Sequence, residues 1–119
     1  MNARTPPKAG SGSDEVAKIL KSGLALLEKV QGMNPNSASY ALKTEMCEAE
    51  LRDVLRLDPR NIAAVVALGA LFAEYYDEQA SEEALSLLDD ALVHAPRNKD
   101  LKAGRKRHEA ILDDLASDG

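Results

Sequence analysis

The 119-residue sequence has a single cysteine, no tryptophan and only 3% aromatic residues. Cys47 has no second cysteine to pair with, so an internal disulfide is excluded and a reducing compartment is the simpler expectation. His94 and His108 lie too far from each other and from Cys47 to form a zinc motif. With so few aromatics, the core must consist of Ala, Leu, Val and Ile, which favours closely packed helices.

Long hydrophobic runs and excess positive charge are also missing. The longest stretch without charged or strongly polar residues, 62–73, is far shorter than the roughly 20 residues that cross a bilayer, and residues 1–13 contain no apolar signal segment. The net charge of −5 argues against binding to nucleic acid or anionic membranes. We therefore expect a cytoplasmic protein without membrane insertion, with a disordered tail over residues 1–13 and a short tail over 117–119.

Apolar residues recur at three- and four-residue intervals in five segments, which predicts five helices. Polar residues that commonly cap helices precede them. The predicted helices run from 14 to about 31 after Ser13, from Asn36 or Ser37 to about 57, from 62 to about 76 after Asn61, from Ser81 to about 94, and from about 100 to 116.

The chain repeats itself at a shift of 37 residues, the separation of Pro59 from Pro96. Pro59-Arg60-Asn61 recurs as Pro96-Arg97-Asn98, and Leu51 aligns with Leu88. A shift of 46 places Gly23 on Gly69, with the extra residues in the loop after Gln31. Gly69 and Ala84 predict a close approach of two antiparallel helices, and Cys47 aligns with Ala84 as the filler of a small-residue position.

This pattern resembles the tetratricopeptide repeat (TPR) family, whose repeat of about 34 residues is a helix-turn-helix. Leu68-Gly69, Ala84, Ala91-Leu92 and Pro96 match its signature, with a longer turn near residues 77–80. The resemblance implies an all-α fold, a right-handed α-α superhelix spanning residues 14–116. Its parts are two TPR-like repeats, about 16–61 with an enlarged loop at 32–37 and about 62–98, and a C-terminal capping helix at about 100–116.

In this family the first helix of each repeat lines a concave surface, which implies a protein-binding groove. The expected groove has an apolar floor and two acidic edges, and it suits an amphipathic helix or an extended peptide segment. Its floor comprises Ala17, Leu20, Leu24, Leu27, Ala63, Val66, Ala70 and Ala73, and its edges are Glu28 and Glu74. The lysine and asparagine residues with which some members hold a terminal carboxylate are replaced by apolar residues here.

The leading interpretation is an adaptor or scaffold that binds a protein or peptide partner. The alternative is a constitutive subunit of a larger assembly, or a homo-oligomer, that buries the same apolar face permanently. A more distant alternative is a basic patch on the last helix that contacts phosphate or an acidic partner. Its residues are Lys102, Arg105, Lys106 and Arg107.

The sequence contains no catalytic constellation, so it predicts no enzyme activity, no cofactor and no metal site. His108-Glu109 lacks the second histidine, one turn away, that a metalloprotease needs. Asp89-Asp90 has no apolar pocket to raise a carboxyl pKa. His108 is expected to pack on the apolar face of the last helix.

Overall fold

The computed structural model describes the backbone of residues 7–118 and the side chains of residues 14–117. Within these residues the fold is all-α, with five helices and no strand. The helices are α1 (Pro7–Gln31), α2 (Tyr40–Leu57), α3 (Ile62–Tyr75), α4 (Glu78–His94) and α5 (Lys99–Asp118). No helix in this part of the chain is long and apolar enough to span a membrane.

The chain divides into two compact units, Met1–Pro59 and Arg60–Gly119. Unit 1 contains α1 and α2, which pack against each other as a hairpin. Their contacting faces carry buried side chains spaced by three or four residues, the period of a helix. These are Leu27 and Val30 on α1 and Cys47, Leu51 and Val54 on α2.

Unit 2 contains α3, α4 and α5, and each of these helices contacts the other two. Helix α3 is buried around most of its circumference, as its nearly uncharged sequence predicts. Helix α5 contributes a buried stripe, Leu101, His108 and Ile111, to the core that it shares with the α3–α4 hairpin. The last helix is therefore an integral part of the core of unit 2.

Two helices end at the repeated Pro-Arg-Asn segments with nearly the same geometry. The N–H of Asp58 donates to the carbonyl of Val54 at 2.7 Å, and the N–H of Ala95 donates to the carbonyl of Ala91 at 2.9 Å. Both capping residues precede a proline, which disfavours continuation of the helix. The ends of α2 and α4 thus repeat in structure as well as in sequence.

The helices that follow these segments also begin alike. Asn61 Oδ1 accepts a hydrogen bond from the N–H of Ala64, and Asn98 Oδ1 accepts one from the N–H of Leu101, both at 3.0 Å. Each asparagine satisfies an N–H that the first turn of a helix leaves unpaired. The shift of 37 residues therefore places the start of α5 in register with the start of α3.

Two helix starts in unit 1 differ from the prediction. Helix α1 begins at Pro7, so Ser13 is not its cap and residues 7–13 of the predicted tail are helical, whereas residues 1–6 lie outside the described chain. Proline is tolerated in the first turn of a helix because its missing N–H has no partner there. Helix α2 begins after Ser39, because Asn36 belongs to a turn in which its N–H donates to Asn34 Oδ1.

The turn between α3 and α4 is shorter than predicted. Asp77 caps α4, with its Oδ1 accepting from the N–H of Ala80 at 2.7 Å, so Ser81 lies inside the helix and is fully buried. Only Tyr76, in a left-handed conformation with φ 54°, and Asp77 separate the two helices. The extra residues near 77–80 lengthen α4, and the predicted longer turn was wrong.

Candidate binding cleft between α3 and α5

The α1 part of the predicted groove forms a surface stripe on unit 1. Ala17, Leu20, Leu24 and Glu28 follow one face of α1, and Leu24 keeps 40% of its surface exposed. Leu27 was predicted to line the groove but is only 8% exposed. It follows Gly23 by four residues and shares with it the face that packs on α2, which removes it from the open surface.

The α3 part lies in unit 2, where its members separate in the same way. Ala63 is exposed, whereas Val66, Ala70 and Glu74 are half-buried. Ala73 is only 6% exposed, so its assignment to an open groove was wrong. The helix is apolar on nearly every side, and this leaves the sequence no means to separate a groove face from a core face.

Val66 and Ala70 line an open cleft of about 190 Å³ between α3 and α5. Most of the residues that line its floor are glycine or alanine, of which Gly69 of α3 is buried and Gly104 of α5 is half-buried. Residues of α5 line the side of the cleft opposite Val66 and Ala70. The remaining lining residues are Gly69, Asp100, Ala103, Gly104 and Arg107.

Two opposite charges mark the cleft. Asp100 and Arg107 are both exposed, and neither forms an ion pair with any residue in the described part of the chain. They lie seven residues apart on α5, which corresponds to about 10 Å along the helix axis. The cleft therefore combines an apolar floor with an acidic site and a basic site about two helical turns apart.

The repeat explains which residues of α5 line the cleft. At the shift of 37, Ala63, Val66 and Ala70 correspond to Asp100, Ala103 and Arg107, and the latter three all lie in the cleft. The prediction of α5 as a capping helix takes no account of this shift at the groove positions. That signal was present in the sequence and would have identified the α5 side of the cleft.

A buried hydrogen-bond network lies beneath the floor of the cleft. His108 Nε2 is 2.7 Å from the carbonyl oxygen of Gly69, and its Nδ1 is 2.8 Å from Ser81 Oγ. A carbonyl only accepts, so Nε2 carries the proton and the Ser81 hydroxyl donates to Nδ1. The network joins all three helices of unit 2 through the ring of His108.

The environment of His108 favours its neutral form. Burial lowers the pKa of His108, the hydrogen bond to the Gly69 carbonyl opposes this change, and the positive charge of Arg107 lowers the pKa further. The Ser81–His108 pair resembles part of a hydrolase triad, but both side chains have no exposed surface. No substrate can reach this pair in the described structure, so its contribution is to hold α5 in place.

The predicted basic patch is divided between two faces of α5. Arg105 pairs with Asp89 of α4 at 2.6 Å and with Glu109 at 2.7 Å, and these carboxylates raise its pKa. Arg107 faces the cleft on another side of the helix. Only Lys102 and Lys106 remain as exposed cations near Arg105, so the structure does not assemble the four residues into one anion-binding surface.

Cys47 lies in the core of unit 1, at the position that its alignment with Ala84 predicts. Both residues have no exposed surface, and the Cys47 thiol donates to the carbonyl of Gly23 at 3.4 Å. Burial raises the pKa of Cys47 to about 11, and the nearby carboxylates of Glu50 and Glu48 contribute to the increase. A thiol in this environment is a poor nucleophile.

The side chains described by the structure contain no cluster of three or more His, Cys, Asp or Glu residues placed to hold a metal ion. Comparisons of the chain with models of protein families, with curated proteins and with solved structures find no match.

Proposed function

We propose that this protein is a TPR-like adaptor whose cleft between α3 and α5 binds a segment of a partner protein. The observation that carries the proposal is the apolar cleft itself, open at the surface and marked by Asp100 and Arg107 without ion partners among the described residues. A small apolar surface with a few oriented polar groups is typical of peptide recognition.

Repeated contacts support the TPR-like assignment. Gly23 faces Leu51 in unit 1, and Gly69 faces Leu88 in unit 2, so equivalent glycines meet equivalent leucines in the two hairpins. The matched helix ends at the two Pro-Arg-Asn segments add a second correspondence. In such repeat proteins the first helices of successive repeats form the binding surface, and α3 and α5 hold equivalent positions in the repeat.

The distance between the charges restricts the partner. An extended chain rises about 3.3 Å per residue, so a basic residue near Asp100 and an acidic residue near Arg107 would be about three positions apart. One aliphatic side chain between them would enter the space over Gly69 and Gly104. We therefore expect an extended segment with a Lys or Arg, an aliphatic residue and an Asp or Glu in close succession.

The test is a peptide array in which a Lys and a Glu flank a Leu at separations of two to six positions. Binding should peak at a separation of about three and should fall at least tenfold with Val66→Glu, which places a charge on the apolar floor. Lys102→Glu changes a charge elsewhere on α5 and serves as the control, with expected binding close to that of the unmodified protein.

Double-mutant cycles assign the two charges. Asp100→Asn should weaken binding by up to about fivefold with a Lys-containing peptide and have little effect when that Lys is replaced by Gln. Arg107→Gln should weaken binding to a similar extent with a Glu-containing peptide and have little effect when that Glu is replaced by Gln. Two results would contradict the proposal. One is peptide binding that does not depend on the separation between Lys and Glu, and the other is a Val66→Glu variant that binds the peptides as well as the Lys102→Glu control does.

A second candidate function is a constitutive subunit or homo-oligomer, and unit 1 provides the observation that favours it. Leu42 and Met46 lie one turn apart on α2 and are 58% and 42% exposed. Adjacent exposed aliphatic side chains are typical of an interface. Light scattering after gel filtration separates the two candidates, because an adaptor should elute as a monomer near 12.8 kDa, and Leu42→Glu should dissociate an oligomer.

A further inference from the structure

A second open surface in unit 2 lies between the start of α4 and the end of α5. It is a trough of about 300 Å³ with an aliphatic wall from α5 and two carboxylates from α4. We call it the acidic trough. Its lining residues are Glu78, Glu82, Leu112, Leu115 and Ala116.

The carboxylates of the acidic trough are not neutralised by the described protein. Glu78 and Glu82 are exposed and form no ion pair with any described residue. No Lys or Arg occurs between Glu74 and Asp90, or in α5 after Arg107. The trough thus lies in a region where all nearby charges from α4 and the second half of α5 are negative, and a cationic ligand would be attracted to it.

The spacing along both helices repeats at one turn. Glu78 and Glu82 are four residues apart on one face of α4, and Leu112 is followed by Leu115 and Ala116 on one face of α5. A helical partner lying along the trough would present side chains at the same interval, with cations toward α4 and aliphatic residues toward α5. The volume, at the small end of ligand pockets, suits a few side chains rather than a small-molecule site.

From this arrangement we infer that the acidic trough docks a cationic amphipathic helix of a partner protein, with Leu-sized anchors against Leu112 and Leu115 and Lys or Arg side chains beside Glu78 and Glu82. This surface is separate from the α3–α5 cleft, because it takes its carboxylates from α4 and its aliphatic residues from the last turns of α5.

The test uses a fluorescein-labelled 14-residue peptide of Leu and Lys in an amphipathic helical order, titrated with the full chain in fluorescence anisotropy. Glu78→Gln with Glu82→Gln should weaken binding at least fivefold and reduce its dependence on salt. The matched control is Glu45→Gln with Asp90→Asn, which removes two exposed charges outside the trough and should change the affinity by less than twofold.

Two further comparisons distinguish docking from simple charge attraction. A peptide of the same composition in a scrambled order, without an apolar face, should bind at least tenfold more weakly. Leu112→Ala with Leu115→Ala should weaken binding of the ordered peptide by a similar factor, and circular dichroism verifies that each variant keeps its helices. If the leucine variant fails to fold, the exposed glutamate pair still decides the question.

Several results would overturn the inference. One is a failure of the unmodified protein to bind the ordered peptide at all. Another is an equal loss of affinity for that peptide in the glutamate variant and its charge-matched control, and a third is equal affinity of the unmodified protein for the ordered and scrambled peptides. A dimer that dissociates with Leu112→Ala would also overturn it, because a second copy would then occupy the trough. Val66→Glu should leave this affinity unchanged, which separates a failure here from a failure of the cleft proposal.

Discussion

Each unit contains a helical hairpin, and among the residues that the structure describes unit 2 alone has a third helix, which completes its core. In unit 1, the large side chains Leu24, Leu42, Met46 and Leu57 remain more than a third exposed. In unit 2 the exposed large hydrophobic residues are Tyr76 and Val93, among the residues described. Helix α5 therefore gives unit 2 a more complete core than the α1–α2 hairpin has.

The polar groups inside the two cores differ in the same sense. The Gly23 carbonyl receives a weak thiol bond from Cys47, and the buried Oε1 of Glu50 has no hydrogen-bond partner among the described residues. The equivalent carbonyl of Gly69 receives a 2.7 Å bond from His108, which also engages Ser81. Because an unsatisfied buried acceptor is destabilising, unit 2 should be the more stable of the two.

The largest effect should follow removal of the ring that joins the helices of unit 2. His108→Ala leaves a cavity and leaves Ser81 Oγ and the Gly69 carbonyl without their partner, and we expect a loss of about 3 kcal/mol in the free energy of unfolding. Urea denaturation followed by circular dichroism measures it.

Two control variants make this result specific to the network. His94→Ala removes an exposed histidine of the same protein and should cost about 0.5 kcal/mol or less. Cys47→Ala introduces the residue that the repeat has at position 84 and should cost about 1 kcal/mol. A loss for His108→Ala no larger than that for Cys47→Ala would show that the ring does not hold α5.

The second prediction compares opening of the two hairpins through the reactivity of a thiol. Cys47 is buried and its pKa is raised to about 11, so a thiol reagent reaches it only when unit 1 opens. The double variant Cys47→Ala with Ala84→Cys places the thiol at the equivalent site in unit 2. We expect the thiol reagent to label Cys47 at least tenfold faster than it labels the cysteine at position 84. This ratio corresponds to a difference of about 1.4 kcal/mol in the free energy of opening. Equal rates would indicate that the hairpins open together.

The parts of the fold that follow from local sequence were predicted well. Asn61 and the uncharged segment after it place the start of α3 correctly, because a cap and a hydrophobic pattern agree there. The start of α4 was missed because Asp77 and Ser81 are both good capping residues, four positions apart. The choice between them depends on His108, which lies 27 residues further along the chain and takes the Ser81 hydroxyl.

The candidate site was predicted only in part, for a similar reason. Val66 and Ala70 were identified from the repeat, but their partners across the cleft are set by the packing of α5 on α3. Leu27 and Ala73 fit the same periodicity as the groove residues and are nevertheless buried. Periodicity defines a broad face of a helix, and only tertiary contacts divide that face into core and surface.

The third prediction concerns pH and separates the two units by their titratable groups. The pKa of His108 is lower in the folded protein than in the unfolded chain, where it is near 6.5. As the pH falls, the unfolded chain therefore binds a proton at this histidine before the folded protein does. The contribution of neutral His108 to the free energy of unfolding is complete above about pH 6.5 and decreases as the pH falls from there toward the folded pKa. Melting temperatures between pH 8 and 5.5 should fall for the unmodified protein and change less for His108→Ala. If the melting temperatures of both proteins fell equally with pH, groups other than His108 would cause the pH dependence.

The smallest effect should have opposite signs in the two hairpins, at glycines that occupy equivalent positions. A Cβ added at Gly23 would lie 2.9 Å from Leu51 Cδ2 and 3.1 Å from its Cγ, and Leu51 is fully buried, so Gly23→Ala should cost about 1 kcal/mol through overpacking.

At Gly69 the nearest atom, Leu88 Cδ1, would be 3.7 Å away, which is ordinary contact. Gly69→Ala should therefore stabilise the protein by about 0.5 kcal/mol, because alanine restricts the unfolded chain more than glycine does. The sequence predicts a close approach of two antiparallel helices at Gly69, and the structure leaves room there for a methyl group. Thermal denaturation of the two variants side by side decides the matter, and a destabilising Gly69→Ala together with a neutral Gly23→Ala would mean that the hairpins pack in the reverse order of tightness.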